Sequence, residues 1–170
     1  MRVRPLTADP ATHETPLLVL PVFQGRDGLG PLAARLDEDL DGVLARALES
    51  GDLRGKEGES ALFYARGGGG GPARVLCVGV GKPGKYDGRA VRKYAGRAVR
   101  AAEARGLTRL VLHLESDGSL EGEALVQAGA EGATLAAWRF VEEKTEAGRR
   151  EDDEPPVDVE EVAIHAEGEG

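Results

Sequence analysis

Apolar runs of strand length alternate with stretches of helical period along this chain, and that alternation narrows the fold more than any other feature. The run "LLVLPVF" (17–23) is followed by residues 31–50, where Leu32, Leu36, Leu40, Val43, Ala47 and Leu48 recur at helical spacing with charges between them. Pro31 suits a first helical turn and Gly51 a C-terminal stop. "SALFYAR" (60–66) and "ARVLCVGV" (73–80) read as strands, joined by the glycine run 67–71 and Pro72. Residues 87–106 carry the clearest helical pattern, with Asp87 as N-cap, Val91, Tyr94, Ala95, Ala98, Ala101 and Ala102 along one stripe, and Gly106 past the end. "TRLVLHLE" (108–115) is a further strand. A third helix over 118–140 places Leu125, Gly129, Ala133, Ala136 and Phe140 on or near one face, and "VEEVAIHA" (159–166) closes the series.

This order predicts an α/β fold of three layers, a mixed, mostly parallel sheet of about five to six strands with helices on both faces. "VLCVGV" lacks polar alternation, as a strand covered on both sides should. The glycine run, read as a flexible hairpin loop, supplies one antiparallel pair. Pro21 predicts an edge position or an irregularity in its strand. Residues 1–16 read as an N-terminal extension, 17–166 as a single domain, and 167–170 as a tail. Within the domain, 142–158 has no periodicity and ends near Pro155 and Pro156, so it reads as a charged connector.

Charge and cysteine content limit the function classes. The formal net charge is −8, which argues against a nucleic-acid binder. Arg89, Arg92, Lys93, Arg97 and Arg100 do form a basic helix face, read as a solvated face balanced by the acidic connector or by a neighbouring subunit, without the interleaved aromatics of a nucleic-acid platform. Cys77 is the only cysteine, so neither an internal disulfide nor a thiolate metal cluster can form. No apolar run approaches the ~20 residues of a membrane span, and the N-terminus has no apolar signal core. The expected location is the cytoplasm, with no membrane partner.

The most suggestive motif is "GVGKPG", a G-x-G-x-x-G formed by Gly79, Gly81 and Gly84 after an apolar strand. In a dinucleotide turn the helix begins near the second glycine and an acid about 20 residues on binds ribose. Here the helix begins near Asp87, and Pro83 removes an N–H from the loop. Glu103 falls inside the helix, and Glu115 lies too far along. Gly79 and Gly81 therefore read as positions that permit close packing and a tight exit from a central strand. His13, His113 and His165 are the only histidines, and none has a metal-ligand partner at short spacing. His113 and His165 sit in strand patterns and read as hydrogen-bonded at the sheet. "EDDE" (151–154) reads as a solvated charge run. The residues thus nominate no catalytic, cofactor-binding or metal-binding set.

Three segments in order resemble a known family. "LDEDLDGVLARALESGDLRGKEGESALFYA", "RVLCVGVGKPGKYDGRAVRKYAGRAVRAA" and "EGEALVQAGAEGATLAAWRFVEEKTE" are similar to the N-terminal domain of the leucyl (cytosol) aminopeptidases. In the last segment the likeness rests on Trp138, Arg139, Phe140, Lys144 and Thr145. The resemblance implies a macro-domain-like fold without catalytic residues, an assembly or regulatory role, and a homo-oligomeric parent. It implies as partner a catalytic domain, of the same or a related chain, that carries two divalent metals. The family's metal and catalytic motifs, of the type Asp-Thr-Gly-Gly and Asn-Thr-Asp-Ala-Glu-Gly-Arg, do not occur here, so no catalytic or metal-binding residue carries over. The alternative is a macro-like module binding ADP-ribose or a nucleotide, motivated by the glycines of 67–71 and 79–84.

Overall fold

A computed structural model describes residues 1–65, 70–138 and 157–167. Ten elements follow one another: β1 Arg2–Pro5, β2 Leu18–Phe23, α1 Pro31–Asp39, α2 Val43–Glu49, β3 Ser60–Tyr64, β4 Arg74–Gly81, α3 Gly88–Glu103, β5 Arg109–Leu114, α4 Gly122–Ala137 and β6 Glu161–Ala166. The six strands form one sheet in the order β1-β6-β5-β2-β4-β3. All neighbours run parallel except β3 and β4, which pair antiparallel across the glycine run as expected. Most of the connector 142–158 and Gly67–Gly69 lie outside the described residues, as do Arg139, Phe140, Lys144 and Thr145.

Side chains alternate between the two faces of the sheet and give it two cores. Leu17, Val19, Leu76, Val78, Leu112 and Ile164 pack under α3 and α4. Leu18, Leu20, Val75, Cys77, Val111 and Ala163 pack under α1 and α2. This is the three-layer arrangement that the alternating pattern predicts. Burial pushes the Cys77 thiol up to about 12, so it serves as a small hydrophobe.

Three local features differ from the sequence reading. Arg2–Pro5, read as part of an extension, pairs with Glu161–Ile164 and forms an edge of the sheet. Four residues with a single apolar position, Val3, carry too little periodicity to announce a strand. The helix expected over 31–50 is two helices. Asp41 and Gly42 adopt left-handed backbone (φ 57° and 72°), and the Asp37 carboxylate then accepts from the N–H groups of Leu44 and Ala45 at 2.7 and 3.1 Å. Asp37 thus caps the second helix from within the first, which explains a carboxylate that is only 7 % exposed.

Pro21 lies in an interior strand rather than at an edge, but the irregularity it predicts is present. β2 pairs with β5 only at Leu18 and Val19, and its register against β4 shifts between Val22 and Phe23. Val111 donates to Leu17, so the parallel alternation puts residue 21 opposite the His113 carbonyl, where proline has no N–H to give. The buried Tyr94 hydroxyl fills the gap. It donates to His113 O at 2.8 Å and lies 3.0 Å from Val19 O.

Candidate functional site

In an open α/β sheet, ligands bind beyond the carboxyl ends of the strands. At that end of β4 the glycine motif is filled by the protein itself. A Cβ on Gly79 would stand 2.0 Å from Lys56 O, and one on Gly55 would stand 2.6 Å from the Phe23 carbonyl carbon. The 54–59 segment therefore lies backbone to backbone across the ends of β2 and β4. Glu59 holds it in shape, accepting from the N–H groups of Arg54 and Lys56 at 2.8 and 3.2 Å. Gly79 N–H donates to Glu59 O, Gly81 N–H to Gly55 O, and Gly84 N–H to the Asp117 carboxylate at 2.6 Å. The N–H groups of all three glycines are thus spent, and that of Gly84 faces a negative charge. The close-packing reading holds at Gly79, while Gly81 and Gly84, at φ 87° and 80°, serve the turn at the strand exit, and the nucleotide alternative loses the support of 79–84.

A polar cluster occupies the corresponding ends of β5 and β6. His113 and His165 are register partners, so both side chains leave the sheet on the α1 side. Their rings stack, with Nδ1 to Nδ1 at 3.0 Å, so one nitrogen donates and the other accepts. Both therefore hydrogen-bond at the sheet, as the sequence predicts, but to each other. His113 is 1 % exposed, and its Nε2 has no hydrogen-bond partner among the described residues. Burial, reinforced by His165 and Arg35, lowers the His113 pKa to about 3, so the ring is neutral in the fold. His165 is lowered as well, chiefly by burial.

Two carboxylates flank these rings. Glu115, just past β5, is buried and paired with Arg26, whose guanidinium also lies 5.0 Å from the centre of the Phe23 ring. Glu167 stands 3.9 Å from His113 Nε2, and its pKa is raised by desolvation first and by the Glu115 charge second. One donor atom from each of His113, Glu115 and Glu167 lies within 4.8 Å of one from each of the others. Beside this cluster a cleft of about 630 Å³ opens between the 24–30 loop and α2, lined by Phe23, Arg26, Leu29, Leu48, Leu53 and Arg54 among others.

Part of the basic face of α3 is paired within the chain, though not by the connector that the sequence suggested. Arg92 pairs with Glu131 of α4 at 3.3 Å, and Lys93 and Arg97 both reach Glu57 at 2.8 and 3.5 Å. Such pairing favours a balanced surface over a nucleic-acid footprint. The two helices themselves meet backbone to backbone. A Cβ on Gly132 would stand 2.4 Å from Arg92 O. At the far end of α4, Leu135 is 66 % exposed and Trp138 78 %.

Sequence reasoning nominated none of the β5–β6 cluster as a site. The two histidines were visible, but their meeting depends on strand order and register, which no local pattern carries. Arg26 lies in a turn whose sequence says nothing of Glu115.

Comparison with known proteins places these features in context. Residues 19–147 match the model of the cytosol aminopeptidase family, N-terminal domain. A probable cytosol aminopeptidase of Syntrophotalea carbinolica is 35% identical over 158 residues, which cover 92% of this chain and 31% of the relative. The chain thus spans about a third of the length of that relative. Among solved structures, a mutant of tomato leucine aminopeptidase superposes with a TM-score of 0.71 at 22% identity, over 95% of this chain and 32% of that one. The macrodomain of Mycobacterium tuberculosis DarG superposes with a TM-score of 0.62 at 14% identity, over 96% and 97% of the two chains. At these identities the structural likeness speaks to fold alone, and it supports the macro-like architecture.

Proposed function

The chain belongs to the cytosol aminopeptidase family, as its N-terminal domain, and on that premise we propose that it hydrolyses no peptide itself but serves assembly. Its partner is a catalytic domain of the same or a related chain, within a homo-oligomer in the cytoplasm. The observation that carries this reading is the exposed apolar end of α4. Leu135 and Trp138 are exposed at the C-terminal end of α4, and Leu135 lies beside the paired Arg92, Lys93 and Arg97. An exposed tryptophan near a charge-rimmed leucine is the composition of an interface anchor. No helix among the described residues is long and apolar enough to cross a membrane.

Two measurements test the reading. The purified chain, given an aminoacyl chromogenic substrate with manganese or zinc, should show no turnover, and metal-dependent turnover would overturn the non-catalytic part. Placed ahead of a catalytic domain of the family, the double variant Leu135→Ser with Trp138→Ser should lower the oligomer mass seen by light scattering. An unchanged mass would remove the α4 surface from the assembly.

A further inference from the structure

We propose that His113, Glu115 and Glu167 form a binding site for one divalent cation of the zinc class, at the carboxyl ends of β5 and β6. This goes beyond the assembly role and does not depend on it. The donor set is one imidazole nitrogen and two carboxylates, a mixed N/O set of the kind zinc takes.

The observation that points to a ligand is the His113 ring. It is buried, and its Nε2 has no hydrogen-bond partner among the described residues and lies 3.9 Å from Glu167 Oε1. A buried polar atom left bare is destabilising, and native folds rarely keep one without a reason. The other ring nitrogen is already used: His113 Nδ1 meets His165 Nδ1 at 3.0 Å. With the proton on His113 Nδ1 and donated to His165, Nε2 presents a bare lone pair. His165 then does for His113 what an outer partner does for a ligating histidine, fixing the tautomer and the ring plane.

Charge agrees. Glu115 and Glu167 converge on a neutral ring, and a divalent ion would offset both carboxylates. Among the described residues the Glu115 carboxylate is paired with Arg26, whose side chain is 35 % exposed, so it can swing out when an ion arrives. The donor atoms, within 4.8 Å of one another, must close to about 3.3–3.6 Å to share one tetrahedral ion at zinc bond lengths. That movement falls on Glu167, whose side chain is 36 % exposed just beyond β6.

The test is calorimetric titration of the chelator-treated chain with Zn²⁺ alone, repeated with Co²⁺ for its visible spectrum. One equivalent should bind with micromolar affinity. Glu167→Gln, a substitution at a half-exposed position, should weaken binding at least about tenfold. Arg26→Ala, which removes the competing cation, should tighten it. Binding below one equivalent, or equal affinity in Glu167→Gln and the parent chain, would overturn the site. His113→Ala disturbs the core and serves only as a check that the Co²⁺ spectrum loses its nitrogen ligand.

Discussion

The Tyr94 hydroxyl stands 2.8 Å from the carbonyl oxygen of His113, where Pro21 leaves the sheet short of a donor. A side chain from α3 thereby completes a rung between β2 and β5. Tyr94→Phe removes only the hydroxyl and leaves the buried carbonyl unsatisfied, which should cost about 1–3 kcal/mol in urea unfolding. In a Pro21→Val background residue 21 regains an N–H facing His113 O, so the loss should shrink. Equal losses in both backgrounds would separate Tyr94 from the proline.

The α3–α4 contact predicts opposite outcomes for two glycines. A Cβ at Gly132 would stand 2.6 Å from Arg92 Cα, against backbone that cannot yield, whereas one at Gly96 would meet Ala136 Cβ at an ordinary 3.6 Å. Gly132→Ala should destabilise by about 1–3 kcal/mol through overpacking. Gly96→Ala should be neutral or stabilise by roughly 0.5–1 kcal/mol, because alanine restricts the unfolded chain and favours helix. Thermal midpoints of the two variants decide.

Removing the Asp37 carboxylate uncaps α2. Asp37→Ala should cost about 1–2 kcal/mol. Asp37→Asn keeps an acceptor for the N–H groups of Leu44 and Ala45 and should recover part of it. Hydrogen exchange should localise the loss to the first turn of α2; uniform loss across the domain would argue for a role in general packing instead.

The His113 imidazole predicts an acid limb to stability in metal-free buffer. Its folded pKa, about 3, lies below the ordinary value of 6.5, so the unfolded chain binds a proton that the folded one refuses. The contribution is fully present above pH 6.5 and is lost as pH falls towards 3, at no more than about 1.4 kcal/mol per pH unit. His165 shifts the same way and adds to it. Urea midpoints measured between these limits should fall with acid, and His113→Gln should flatten the slope. An unchanged slope would assign the acid limb to other groups.

Much of the architecture was legible because it rests on local pattern. The Asp87 cap is seen in its bond from Ala90 N–H at 2.9 Å, and the covered strand "VLCVGV" is buried on both faces. The glycines at 79 and 81 needed context to be read correctly, and the late helix start and Pro83 supplied it. What escaped was set by partners far away in sequence. The break at Asp41 and Gly42 interrupts a hydrophobic period that continues on either side of it, and only the reach of Asp37 to Leu44 reveals two helices. The meeting of His113 with His165, and of Glu115 with Arg26, follows from the sheet order and from a loop crossing over it.

The pairing of Arg2–Pro5 with Glu161–Ile164 bears on how the domain is made. During synthesis β1 leaves the ribosome well before β6, the strand that is its template. Its row of backbone donors and acceptors must wait in water while the rest of the sheet forms around β2. Closing so distant a pair is slow compared with local contacts. The nascent domain therefore spends an interval with the unpaired side of β5 open, and the arrival of β6, with β1 beside it, ends that exposure.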